Sequence, residues 1–169
     1  MSNKNLLPEN IRLIIYNSLF RPHLEYGILA WGGAKKSLIR RIFLIQKKAM
    51  RNIAGVTLRS HTDPLFQSYG ILKLNDLITY HNAAFMYKYT KNLLPASFQG
   101  MFQQLAEPNR TRNFVAARPR NSKLEQLPKV ALPKIWNGLS LTLKTRETFS
   151  SFKTDLTKQL IANYNNDHE

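Results

Sequence analysis

Apolar residues recur at helical spacing along most of this chain. In residues 9–20, Ile11, Ile14, Ile15, Ser18 and Leu19 fall a helical turn apart, with Tyr16 and Phe20 beside them. That spacing predicts an amphipathic helix, with Pro8 placed where a first turn tolerates proline. Pro22 predicts a break or kink, because proline removes a backbone donor. A second apolar segment then runs from Leu24 to Trp31, ended by Gly32-Gly33. Residues 35–53 carry the clearest signal. At about 100° per residue, Leu38, Ile42, Ile45, Ala49 and Ile53 share one face, which predicts burial against Ile11–Leu19 and the helix after Asn75. Gly55 is a natural stop.

Further along, Asp63-Pro64 reads as an N-cap followed by proline at the first helical position, with Gly70 closing the turn. Asn75 is the expected cap of a helix over residues 76–92, with Leu77, Tyr80, Ala84 and Tyr87 on its apolar side. Pro95 opens a short turn of helix to about residue 104. After Glu107 the periodicity weakens and Arg, Asn and Pro become common. This stretch predicts a loop-rich insertion with two short strands, over residues 113–117 and 125–130. A short helix at 134–138 and an amphipathic helix over 148–164 complete the chain, the latter burying Phe149, Phe152, Leu156, Leu160 and Ile161. The fold class predicted is mainly α: a helical bundle over residues 1–106, then a basic loop and C-terminal helical extension over 107–169. Tyr16, Tyr26, Trp31 and Trp136 are expected in the core.

Charge changes this picture most. The chain has 169 residues, of which 25 are Lys or Arg and 10 Asp or Glu, for a net charge of +15. Self-repulsion of that size points to a polyanionic partner, with nucleic acid ahead of an anionic membrane surface. There are no cysteines, which excludes disulfides, Cys-ligated zinc and a Cys nucleophile. The absence also fits an intracellular protein, cytoplasmic or nuclear. The first residues lack the apolar run of a secretory signal. No apolar run approaches the roughly 20 residues that cross a bilayer.

Catalytic chemistry finds little footing. Two-metal polymerases and nucleases need converging carboxylates, and here the acids stand almost entirely apart in sequence, with no Asp-Asp turn. The four histidines form no metal-binding spacing, and His61-Thr62-Asp63 is better explained by capping. No phosphate-cradling glycine loop or G-x-S-x-G elbow is present. The sequence therefore predicts no catalytic residue, no metal, no cofactor and no small-molecule substrate.

What remains is a one-sign stripe. No acid occurs between Glu25 and Asp63. On the 35–53 helix, Lys36, Arg40, Lys47 and Arg51 fall within about 60° of one another, nearly opposite the apolar face, and Arg41 and Lys48 flank them. A second acid-free interval, between Glu107 and Glu125, holds Arg110, Arg112, Arg118 and Arg120. An ordinary solvated helix mixes signs; a one-sign row matches phosphates instead. Arg adds bidentate phosphate contacts and base stacking, to which Phe114 and Tyr16 are candidate contributors. Such contacts hold RNA, DNA or an RNA–DNA hybrid without reading its sequence. The alternative is a helical scaffold for acidic protein partners, which predicts exposed apolar patches on the 76–92 or 148–164 helix.

Several blocks resemble the region after the palm in reverse transcriptases of non-LTR, jockey-like (LINE-type) retrotransposons. They are Ile15-Tyr16-Asn17-Ser18-Leu19-Phe20-Arg21-Pro22-His23-Leu24-Glu25-Tyr26-Gly27 with Ala30-Trp31, Ile45-Gln46-Lys47-Lys48-Ala49-Met50-Arg51, His61-Thr62-Asp63-Pro64-Leu65-Phe66, Gly70-Ile71-Leu72-Lys73-Leu74, Thr111-Arg112-Asn113, Pro133-Lys134-Ile135-Trp136-Asn137-Gly138-Leu139 and Ser151-Phe152-Lys153. They arrive in the family's order across nearly the whole chain. The resemblance implies a thumb-like bundle with a C-terminal extension that grips template and product behind an active site. The family is an RNA-directed DNA polymerase whose catalytic aspartates and endonuclease lie upstream of this region. The resemblance thus implies a non-catalytic part of such an enzyme, and Met1 points to a fragment or a decayed copy.

Overall fold

In the computed structural model, the first helical run joins α1 (Glu9–Ile15), a π-helical turn (Tyr16–Phe20) and α2 (Arg21–Glu25). Residues 7–106, 113–116 and 127–165 are described here. Pro22 does not interrupt this run. The wider π turn takes up the mismatch, with the Arg21 amide donating to the carbonyl of Tyr16, five residues back. Inserted turns of this kind re-register the ladder around a residue that cannot donate. Gly27 adopts a left-handed conformation, φ 62°, and turns the chain into α3 (Ile28–Trp31).

α4 (Lys36–Ala54) ends at left-handed Gly55, as the sequence predicts. Its buried face differs. Ile39, Gln46, Met50 and Ile53 are buried, whereas Leu38 and Ile45 are 46% and 56% exposed. The inward face is rotated by about 70° from the predicted one. Apolar residues lie on two overlapping faces of this helix, and packing selects the one bearing Phe43 and Met50. Gln46 fixes the choice: its amide donates to the Tyr16 hydroxyl and to the carbonyl of Leu72, each at 3.0 Å.

α5 (Asp63–Ser68) and α6 (Leu74–Thr90) follow. Neither starts on a side-chain cap. Asp63 is the first helical residue of α5 and pairs with Lys73 at 3.2 Å, and Asn75 lies inside the first turn of α6. α6 begins earlier than predicted because Leu74 is fully buried and must face the core. After a 3-10 turn (Ala96–Phe98) come α7 (Pro128–Gly138), α8 (Leu141–Lys144) and α9 (Phe149–Ala162), with a terminal 3-10 turn (Asn163–Asn165). α9 starts on a side-chain cap that the sequence reading did not name: the Thr148 hydroxyl accepts from the Ser151 amide at 3.2 Å.

No strand occurs among the described residues. Of the predicted 113–117 strand, Phe114 makes one isolated antiparallel bridge with Gln104. Of the predicted 125–130 strand, residues 128–130 are the first turn of α7. Proline at N1 of α7 is pre-set for a helical start, which overrides the extended reading. Residues 117, 125 and 126 lie outside the described part.

The fold is mainly α. One buried cluster joins the π-helical turn, α4 and α5 through Tyr16, Met50, Ile53, Phe66 and Ile71. A second joins α2, α3 and α4 to α6 through Leu24, Ile28, Ile39, Leu74 and Leu77. A third joins the other side of α6 to α7–α9 through Met86, Tyr87, Phe114, Trp136, Phe152 and Leu156. In it, the Tyr87 and Phe152 rings stack at 4.5 Å. Asn137 holds residues 113–114 to α7: its Oδ1 accepts from both amides and its Nδ2 donates to the Phe114 carbonyl. Gly32 is required by packing, because a Cβ there would stand 2.5 Å from the carbonyl of Ile28 and 3.0 Å from Ile78. Tyr16 and Trp136 are core residues and Trp31 is half-buried. Tyr26 is 86% exposed, correcting its core assignment; it sits in the α2–α3 turn, where its carbonyl accepts from the Trp31 indole.

Glu25 ties α2 to α6. It accepts from Arg21 at 2.7 Å and faces His81 at 3.7 Å. His81 and Arg21 together hold the Glu25 carboxyl down to about 2, against its partial burial. Its stabilising contribution is fully present above the unfolded value of about 4.3 and is lost as pH falls toward 2. Glu25→Gln is expected to flatten the acid limb of the stability profile between those values. Urea midpoints measured from pH 2 to 6 check this, and an unaltered acid limb would show that Glu25 contributes nothing.

Candidate nucleic-acid interface

The rotation of α4 decides where its cations lie. Lys36, Arg40, Lys47 and Arg51 still form one row, but the row borders the buried face instead of opposing it. Lys36 and Arg40 are exposed, and Lys47 and Arg51 are half-buried. Arg51 donates to the carbonyl of Ser60 at 2.9 Å, which braces the turn after α4. Lys47 lies over the Phe43 ring, 4.8 Å from its centroid. Arg41 and Lys48 are exposed on the solvent side of α4, about 100° around the helix from the row. The structure therefore brings Lys36, Arg40 and Lys47 together along one edge and leaves Arg41 and Lys48 apart. Arg110, Arg112, Arg118 and Arg120 lie outside the described residues.

The row borders two clefts. The first, about 560 Å³, opens between the α3–α4 turn, α4 and the start of α6, and is lined by Gly32, Gly33, Ala34, Lys36, Ile39, Arg40, Phe43, Asn75 and Ile78. The second, about 430 Å³, continues from Phe43 and Asn75 to Lys47, Asp63, Lys73, Asp76, Asn163 and Tyr164. Their electrostatics differ. The first has two cations and no carboxylate in its lining. The second carries Asp63 and Asp76, and Asp63 already engages Lys73. In it Tyr164 accepts from the Lys73 amide at 2.8 Å, and burial pushes its phenol up. The end of the row best suited to an anion is therefore Lys36–Arg40. Neither side chain makes a hydrogen bond or ion pair with another described residue.

Lys73, Asn75 and Phe43 line these clefts, and the sequence reading did not assign them to the interface. Lys73 and Asn75 reach it only because the start of α6 packs across α4, which no local spacing encodes. Phe114 and Tyr16, considered for base stacking, are 2% and 4% exposed and serve the core. Exposed large apolar side chains occur on neither α6 nor α9, where the scaffold reading places them. They gather on the first two helical turns and α4 instead: Ile11, Ile14, Ile15, Leu19, Leu38, Leu44 and Ile45. Among the described residues no helix is long and apolar enough to cross a membrane.

The chain is similar to part of the RNA-directed DNA polymerase from mobile element jockey of Drosophila melanogaster, with 30% identity over 130 residues, or 76% of this chain. It spans 14% of that polymerase's length. No family model matches the chain. No solved structure matches it either.

Proposed function

We propose that this chain is a non-catalytic, thumb-like module of an RNA-directed DNA polymerase of a non-LTR retrotransposon, and that it holds the backbone of the template or product strand. The observation that carries this reading is the row Lys36–Arg40–Lys47, whose Lys36–Arg40 end borders a cleft with no carboxylate in its lining. Two members of that row, Lys36 and Arg40, have no counter-charge among the described residues, a wasteful arrangement in a chain of net charge +15 unless an anion fills it. Rigid presentation from a 19-residue helix favours a grip on a regular row of phosphates over a loose electrostatic coat. The likeness to part of a polymerase supports the same partner class.

The test is fluorescence anisotropy with a labelled RNA–DNA hybrid over a salt series. Log affinity is expected to fall linearly with log salt, because phosphate contacts release counterions. Lys36→Gln/Arg40→Gln/Lys47→Gln is expected to weaken binding about 10- to 100-fold at moderate salt and to reduce the slope by about 2–3. Arg41→Gln/Lys48→Gln is expected to do distinctly less. Equal effects of the two variants would overturn the assignment to this edge of α4. Binding absent at low salt would overturn the function. The scaffold alternative would then lead, with the exposed α1–α4 apolar side chains as its contact.

A further inference from the structure

The first cleft is more than a bed for phosphates. Its lining joins the exposed Lys36, Arg40 and Asn75 to the more buried, apolar Ile39, Phe43 and Ile78. A site for sugar–phosphate alone gains nothing from apolar walls, and a site for an apolar side chain gains nothing from two unpaired cations. At about 560 Å³ the cleft lies within the size range of small-ligand pockets. A nucleotide with its base turned out of the stack satisfies both halves: the base enters the apolar cleft, and its phosphate stays with the cations at the rim. Bases recognised this way stack on aromatic rings or on the guanidinium plane of Arg, and their edges bond to side-chain amides. The Phe43 ring is already flanked by Phe66 at 6.1 Å and by Lys47. The stacking plane therefore falls to Arg40, which is exposed, and Asn75 offers both a donor and an acceptor to a base edge.

We infer that the cleft between the α3–α4 turn and the start of α6 is a binding pocket for a single unstacked nucleobase of a single-stranded RNA or DNA segment. The inference rests on the backbone-gripping reading above and adds a preference for single-stranded, base-bearing chain at this point.

The experiment compares a labelled ten-nucleotide oligouridylate with a ten-nucleotide chain of equal charge that lacks its bases. Both are titrated with the whole 169-residue chain at one salt concentration. The base-bearing chain is expected to bind about tenfold more tightly. Asn75→Trp, on an exposed rim position, is expected to fill the cleft and bring the base-bearing chain down to the affinity of the abasic one. Ala34→Phe fills the same space from the α3–α4 turn and serves if Asn75→Trp fails to fold by circular dichroism. Lys36→Gln/Arg40→Gln is expected to weaken both chains. Equal affinity of the unaltered protein for the two chains overturns the base pocket while leaving the backbone grip intact. A preference that survives both filled-cleft variants also overturns it. Failure of both chains to bind overturns the grip and the pocket together.

Discussion

Phe152→Ala is expected to lower the free energy of unfolding by about 3–5 kcal/mol, whereas Ile45→Ala is expected to change it by less than about 1 kcal/mol. The contrast comes from packing alone. Phe152 is fully buried and stands where the C-terminal elements meet. Its ring stacks on Tyr87 at 4.5 Å and lies 6.3 Å from Trp136, so it touches α6, α7 and its own helix α9. Tyr87 in turn donates to the carbonyls of Arg146 and Glu147, which fixes the approach to α9. Truncating Phe152 loses the transfer energy of the ring and leaves a cavity bounded by rigid helices that cannot close over it. Ile45 sits on α4 with 56% of its surface in water, and removing it opens no cavity. Urea unfolding followed by tryptophan fluorescence reports both. Equal costs for the two variants would mean that α4 buries the face read from its sequence and not the one seen here.

That pair of residues also marks how far the sequence was legible. The helices of the N-terminal half, the stop at Gly55 and the α9 face of Phe152, Leu156 and Leu160 follow from local spacing, since each depends on neighbours within a turn or two. The inward face of α4 does not. With Leu38, Ile39, Ile42, Phe43, Leu44, Ile45, Ala49, Met50 and Ile53 on one helix, two apolar arcs overlap, and only the partners contributed by α1, α5 and α6 choose between them. The caps at Asp63 and Asn75 failed for a related reason: the long-range Lys73 contact and the burial of Leu74 outweigh a local capping bond worth about 1 kcal/mol. The candidate site was half legible. Its cations stood out as a one-sign row, but the cleft beside them is made by residues 30 or more positions away, such as Asn75 and Ile78, and by the rotation itself.

Gln46→Glu is expected to add a strong loss of stability with rising pH, opposite in sign to the loss toward acid that Glu25 gives the unaltered chain. Gln46 has no exposed surface, and its amide supplies two donated bonds, to the Tyr16 hydroxyl and to the carbonyl of Leu72. An ionised carboxylate cannot donate, and it would face the Leu72 carbonyl oxygen in a fully buried site. The fold therefore favours the protonated acid, and burial raises its folded value above the unfolded one, about 4.3. A raised folded value means that the native state binds more protons than the unfolded state above pH 4.3. Stability is then retained in acid and lost as pH rises, by up to about 1.4 kcal/mol per unit until the folded value is reached. By pH 7 the loss amounts to about 3–4 kcal/mol, a large part of the 5–15 kcal/mol that holds typical domains together. Gln46→Met separates shape from charge: it forfeits the donated bonds at a cost of about 1–3 kcal/mol but gives no such slope. Urea midpoints of the three proteins at pH 4.5, 6 and 7.5 decide the matter. A curve for Gln46→Glu parallel to that of the unaltered chain would show that water reaches Gln46 and that the junction of α1, α4 and the Leu72 segment is not dry.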